Sequence, residues 1–354
     1  MVGDRELLDF SSNDYLGLTH HPLVIERARD WAARYGAGSG ASRLVTGHSQ
    51  AAARVEERIA QAKGTQSALI FASGWQLNAS VLAALLGPDL WSDAKPLVLA
   101  DKLIHASMYA GIAQAGLVPK RFRHNDLDHL AHLLSSHGDG PKIIVTESVF
   151  SMDGDRADLP ALSRLAKDHG AILYVDEAHA TGVLGKGGMG LSAGLDIDVV
   201  MGTFSKALGG FGAYVAGSET LTRYLTNAAS GLVYATGLPP AVLGAMDAAL
   251  ELVPQMEAER HLLARRADDL RWEFRSKGLD TGPSSTQIIP VIVGDERRTL
   301  DAARRLEEAG ILAVAIRPPT VPPGTARLRL TLSVAHDQNA IDTLAAELPK
   351  AILS

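Results

Sequence analysis

The sequence predicts an α/β protein, with a large, mostly parallel-sheet domain followed by a smaller C-terminal α+β domain. Three observations carry this. A strand–helix–strand unit lies between residues 142 and 175. The strands of that region are continuous apolar runs, the pattern expected when helices cover both faces of a sheet. After about residue 250 the texture changes to a long amphipathic helix and two strands flanking another helix.

An N-terminal arm over residues 1–35 precedes the large domain, placed at 36–253, and the small domain takes 254–354. The apolar run Ala68 to Phe71 reads as a strand leading into a helical stretch at Ala79 to Leu86, and Pro96 to Ala100 as the next strand. The clearest unit begins with the β-branched run Lys142-Ile-Ile-Val-Thr-Glu147. A helix follows, with Asp158 as its cap, Pro160 in its first turn and Leu159, Leu162, Leu165 and Ala166 on one face. Gly170 stops it, and Ala171-Ile-Leu-Tyr-Val175 is the next strand, parallel to the first if the crossover is right-handed. Short strands are expected at Asp198 to Met201 and Ala213 to Ala216. In the small domain, Met256 to Lys277 reads as a helix carrying Leu262, Leu263, Leu270 and Phe274. The strands Gln287 to Val293 and Arg327 to Leu332 flank a helix at Thr299 to Ala309.

Composition removes several classes of function. Of 354 residues, 46% are hydrophobic and 21% charged, and acidic residues exceed basic ones by 40 to 34. The net charge of −6 leaves no basic footprint for nucleic acid or an anionic membrane. Cysteine is absent, which excludes disulfide scaffolds, thiolate metal sites and a cysteine nucleophile. Asp4, Arg5, Glu6 and Asp9 break up the first ten residues, so no apolar signal core stands there. The greasiest stretch, Val81 to Leu86, is far shorter than the roughly 20 residues of a membrane helix. A cytoplasmic enzyme is the expectation.

Ligands of open α/β sheets bind at the C-terminal ends of the strands, so the residues just after each strand are the candidates. Asp176-Glu-Ala-His179 follows one strand and Gly202-Thr-Phe-Ser-Lys206 the next. A lysine flanked by small and apolar residues loses its proton at low cost and can form an imine. An aspartate behind it suits the pyridinium nitrogen of pyridoxal 5′-phosphate. The backbone N–H groups of Gly74 and Trp75, at a helix start, would meet a phosphate, with the Thr203 hydroxyl beside them. His105 could stack on a flat ring. Taken singly, Lys206 reads as a solvated lysine, Asp176 as a loop cap, His105 as structural and Gly74 as a chain turn; their shared placement after strands links them. Gly36-Ala-Gly-Ser-Gly40 lacks the spacing and the preceding strand of a dinucleotide site. His129 and His132 sit at i, i+3 on a helix whose leucines define its buried side, so no metal site is assigned.

Together, Ser12-Asn-Asp-Tyr-Leu-Gly17, Glu147-Ser-Val-Phe-Ser-Met-Asp-Gly154, Asp176-Glu-Ala-His-Ala-Thr-Gly182 and Thr203-Phe-Ser-Lys206 resemble the α-oxoamine synthases. These are fold-type-I pyridoxal-phosphate enzymes that join an amino acid to an acyl thioester with loss of CO2. Within the family, His20-His-Pro22, His124-Asn-Asp126, Arg317-Pro-Pro-Thr-Val-Pro322 and Gly324 to Thr331 look most like members acting on L-alanine and a pimeloyl thioester. The thiol would be coenzyme A or an acyl carrier protein. Glycine-using members, such as 2-amino-3-ketobutyrate ligase and 5-aminolevulinate synthase, are the alternative. A catalytically dead partner subunit is a further one, against which Lys206 stands.

The resemblance implies Lys206 as the Schiff-base lysine, Asp176 on the ring nitrogen, His179 on the ring hydroxyl and His105 stacked on the ring. It gives Gly74 and Trp75 amides to the cofactor pocket, with Ser151 and Thr203 beside them. Thr236 would reach the phosphate held by the partner subunit of a homodimer with shared active sites. Arg329 would hold the amino-acid carboxylate, Asn13 would lie near the substrate, and Thr320 on the acyl side. Members usually carry a longer segment, with a basic residue for the acyl substrate, ahead of Asp9-Phe-Ser-Ser-Asn13. Here Met1 to Leu8 precede it, which bears on acyl choice and leaves the cofactor chemistry untouched.

Overall fold

A computed structural model describes residues 6–91, 94–138 and 140–353, so the first five residues of the expected arm lie outside the described residues. The chain divides into two units. The larger takes residues 18–149 and 157–256; the smaller takes 6–17, 150–156 and 257–353. Leu18 to Tyr35 therefore group with the large unit, and residues 6–17 with the small one.

The large unit is built on a seven-stranded sheet. Its strands are β1 (Ser67–Phe71), β2 (Leu97–Asp101), β3 (Lys120–Phe122), β4 (Lys142–Glu147), β5 (Ala171–Asp176), β6 (Val199–Thr203) and β7 (Ala213–Gly217), in the order β1-β7-β6-β5-β4-β2-β3. Pairings among β2 to β6 are parallel, whereas β7 runs antiparallel to both its neighbours. All residues of β4, β6 and β7 are buried, as the apolar runs at their centres imply. On one face Leu77, Val81 and Leu82 of the helix Gly74–Leu86 pack with Met108, Ile112, Ile143, Val145 and Val215. Each such side chain contributes about 1.5–3 kcal/mol when fully buried, which anchors the helix start where the strands end.

Local signals explain the elements. Asp158 accepts from the N–H of Ala161 at 3.0 Å as the N-cap of Leu159–Asp168, and Gly170, at φ 57°, lets the chain turn into β5. In this unit Asp247, fully buried on the helix Pro240–Leu252, takes up Arg27 from the helix Pro22–Tyr35 and Arg54 and Arg58 from the helix Gln50–Lys63. Those arginines hold its carboxyl below the ordinary range despite burial, which alone would raise it.

The smaller unit holds a three-stranded antiparallel sheet with Ala326–Thr331 central, between Val314–Ile316 and Ile288–Gly294. Helices Glu257–Ser276, Glu296–Glu308 and Gln338–Leu353 belong to it. The second starts three residues before the expected Thr299, because Asp295 caps it through the N–H of Arg298 at 2.8 Å. Residues 6–17 are tied in by backbone: the N–H of Thr331 donates to the carbonyl of Phe10 at 2.8 Å and that of Val334 to Tyr15 at 2.9 Å.

Candidate active site

The C-terminal ends of β4, β5 and β6 open on one cavity of about 260 Å³ in the large unit. Gly74, Trp75, His105, Asp176, His179, Thr203 and Lys206 all line it, so these seven candidates are brought together. Lining it too, and not singled out in the sequence, are Ser73, Asn78, Ser107, Glu147 and Ser205.

Asp176 ends β5 and is almost wholly buried. One carboxylate oxygen accepts from Asn78 Nδ2 at 2.9 Å and the other from the N–H of Ala178 at 2.9 Å. The amide of Asn78 is oriented in turn by the Tyr174 hydroxyl, which donates to its Oδ1 at 2.6 Å. Nδ2 also donates to Ser107 Oγ at 3.0 Å, and that hydroxyl lies 2.7 Å from His105 Nδ1. The N–H of Ser107 donates to the same nitrogen at 3.2 Å, so the imidazole is held neutral with its proton on Nε2. Burial lowers the His105 pKa, outweighing the nearby Asp176, and Lys206 pushes in the same direction.

Lys206 sits half-buried on a tight turn after β6. The N–H of Phe204 donates to Gly212 O at 2.9 Å and that of Gly210 to Phe204 O at 2.8 Å. Gly209, at φ 63°, lies where a Cβ would come within 2.4 Å of the Leu18 carbonyl carbon, so only glycine closes this turn. Thr203 Oγ1 bridges to Ser205 Oγ at 2.7 Å and to Gly212 O at 2.9 Å. Opposite, the helix Gly74–Leu86 is capped by Ser73, whose hydroxyl accepts from the N–H of Gln76 at 3.2 Å. The first-turn N–H groups of Gly74 and Trp75 have no acceptor within an α-helix and suit an anion.

The other candidates lie elsewhere. Thr236 lines a separate, small cavity of about 40 Å³ in the large unit, with Gln76 and Gly231. In the smaller unit, Arg329 Nη1 and Nη2 each donate to Asn13 Oδ1 at 3.2 Å, and its Nε donates to Ser151 O at 2.6 Å. The Tyr15 hydroxyl donates to the same Asn13 oxygen at 2.9 Å. Thr320 is exposed on a turn closed by its N–H to Arg317 O at 3.0 Å.

The family model described as aminotransferase class I and II matches residues 5–348. The chain belongs to that family. It is 57% identical over 349 residues, spanning 98% of this chain and 88% of the relative, to the 8-amino-7-oxononanoate synthase of Gluconacetobacter diazotrophicus. With the 8-amino-7-oxononanoate synthase of Geobacter sulfurreducens it shares 46% identity, covering 98% of this chain and 89% of the relative. A solved structure described as SPT with PLP internal aldimine superposes with a TM-score of 0.91 at 29% identity, covering 98% of this chain and 87% of that one.

The donor set of the cavity fits pyridoxal phosphate. A carboxylate backed by two N–H donors suits a pyridinium, a lysine suits an aldehyde, and a helix start with serine and threonine hydroxyls suits a phosphate. Asn78 and Glu147 were readable only faintly: one is a polar residue in an apolar helix, the other an acid closing an apolar strand.

Proposed function

We propose that this chain condenses L-alanine with a pimeloyl thioester, releasing CO2 and the free thiol and giving 8-amino-7-oxononanoate, a step of biotin synthesis. The observation that carries the reading is the meeting of Lys206 and Asp176 in one cavity at the ends of parallel strands. Relatives at 46% and 57% identity bearing that enzyme name favour alanine and a pimeloyl donor over the glycine-using alternatives. The enzyme is an acyltransferase, and its cofactor is pyridoxal phosphate.

When bound, pyridoxal phosphate supplies the electron sink for the pair left on the amino acid's Cα. Lys206 would hold the cofactor's aldehyde carbon and, once the substrate amine takes that place, accept the Cα proton at Nζ. Asp176 would keep the ring nitrogen protonated, its charge fixed by Asn78 and the Ala178 N–H. His179 would meet the ring hydroxyl, and neutral His105 would lie on the ring face. Gly74, Trp75, Thr203 and Ser151 would complete the cofactor pocket. In the smaller unit Arg329 and Asn13 would take the amino-acid carboxylate, the guanidinium by a bidentate pair, and Thr320 would serve the acyl side.

The working assembly is a homodimer in which Thr236 serves the partner's cofactor. Leu44, Val45, Trp75, Phe211 and Tyr234 of the large unit support this: all are large apolar side chains left exposed. We place the enzyme in the cytoplasm, where a cysteine-free chain and an acyl thioester are both at home. No helix among the described residues is long and apolar enough to cross a membrane. The thiol released would be coenzyme A or that of an acyl carrier protein.

Lys206→Ala is expected to abolish both the visible absorbance of the cofactor-loaded protein and thiol release; turnover surviving in that variant ends the assignment. Thiol release measured with L-alanine against glycine, and with pimeloyl against acetyl thioesters, is expected to favour the first of each pair.

A further inference from the structure

Glu147 is the acid in the cavity to which the reaction above gives no task. It closes β4 and pairs in register with Asp176 at the end of β5, on strands that pack about 4.8 Å apart. It is buried, with 2% of its surface exposed, and it lines the cavity. Yet its Oε1 has no hydrogen-bond partner among the described residues. A buried carboxyl oxygen without a protein partner, on a residue lining the cavity, points to a partner among the groups the cavity binds.

Two carboxylates side by side in one buried site do not both ionise readily. The surroundings divide them. Asp176 accepts two N–H hydrogen bonds and so carries the charge. Glu147 Oε1 has no such donor among the described residues. The titratable groups facing it are Asp176 on β5, Asp101 at the end of β2, Lys206 after β6 and His105. Burial drives its pKa well above the carboxylate range, Asp176 and Asp101 add to this, and Lys206 and the His105 N–H oppose it.

Resting on the pyridoxal-phosphate reading, we propose that Glu147 is carried as an un-ionised carboxylic acid. Its O–H donates a hydrogen bond to an acceptor on the bound cofactor or substrate, leaving Asp176 as the charged member of the pair. The site then holds one negative charge where its sequence counts two.

The test uses the full-length chain, with and without pyridoxal phosphate. Infrared difference spectra of wild type against Glu147→Gln at neutral pH are expected to show the carbonyl stretch of one un-ionised carboxyl that the variant lacks. Cofactor titrations are expected to leave Glu147→Gln, which keeps an N–H donor, within about threefold of wild type, and to weaken Glu147→Leu by about tenfold. Absence of that carbonyl band from wild type, or equal weakening by Gln and Leu, overturns the proposal. Should the Leu variant fail to fold, the infrared comparison and the Gln titration still decide. The infrared spectrum of the cofactor-free protein does not depend on the reaction assigned above, whereas failure of wild type to bind pyridoxal phosphate overturns that assignment instead.

Discussion

The side chains that hold a site's acceptors in place are as consequential as the acceptors. Asn13 shows this in the smaller unit. Its Oδ1 receives both Arg329 nitrogens and the Tyr15 hydroxyl, which fixes the orientation of the amide. Tyr15 is fully buried, and burial raises its phenol pKa despite the nearby Arg329. It therefore serves as a neutral donor. Tyr15→Phe is expected to remove about 1 kcal/mol from the orientation of that amide. The readout is a rise in KM for L-alanine with kcat little changed; a fall in kcat alone would show that Asn13 is not a carboxylate contact. At this scale the sequence exposes chemistry when a polar residue follows an apolar strand, as Asp176 and Lys206 do. Glu147 and Asn78 were hidden, because their significance lies in a neighbour from another element: Asp176 for both, with Tyr174 as well for Asn78.

Between elements, the segment after β5 depends on a buried ion pair. Lys63, at the end of the helix Gln50–Lys63, meets Glu177, and both side chains are essentially inaccessible. Lys63 Nζ also donates to Met189 O at 2.5 Å, while Glu177 accepts the N–H of Leu191 at 2.5 Å and the hydroxyl of Ser192 at 2.6 Å. One lysine thus ties residues 177 and 189–192 to a helix from the start of the unit. Lys63→Met leaves a buried carboxylate unpaired and is expected to cost about 3–5 kcal/mol in urea unfolding. The double variant with Glu177→Gln is expected to recover part of that loss; no recovery would mean that the pair is not what couples the two segments. Elements were legible where burial on both faces gave unbroken apolar runs, as in β4 and β5. The direction of β7 was not, since parallel and antiparallel strands buried on both faces have the same texture. Nor was β3, whose Lys120 and Arg121 are exposed at the sheet edge.

For the whole molecule, the exposed apolar side chains of the large unit set the expectation. Tyr234 is 86% and Val45 73% exposed, a large area to leave in water. Light scattering is expected to give a dimer, and Val45→Asp with Tyr234→Asp a monomer with weakened cofactor binding. A monomeric wild type of full activity would remove the shared-site reading and with it the role given to Thr236. The division into two units was only partly legible: the change of texture near residue 250 is a property of composition, but the allegiance of residues 6–17 and 150–156 is a property of hydrogen bonding.

That patchwork has a consequence for synthesis. The large unit has all its chain by Met256, and is free to collapse while the ribosome is still at work. The smaller one must keep its opening and middle pieces waiting: Phe10 finds Thr331, and Asp153 finds Arg327, only once the last quarter of the message has been read. A fragment cut at residue 257 would be born without either, so the two halves of this protein cannot be parted at their apparent seam.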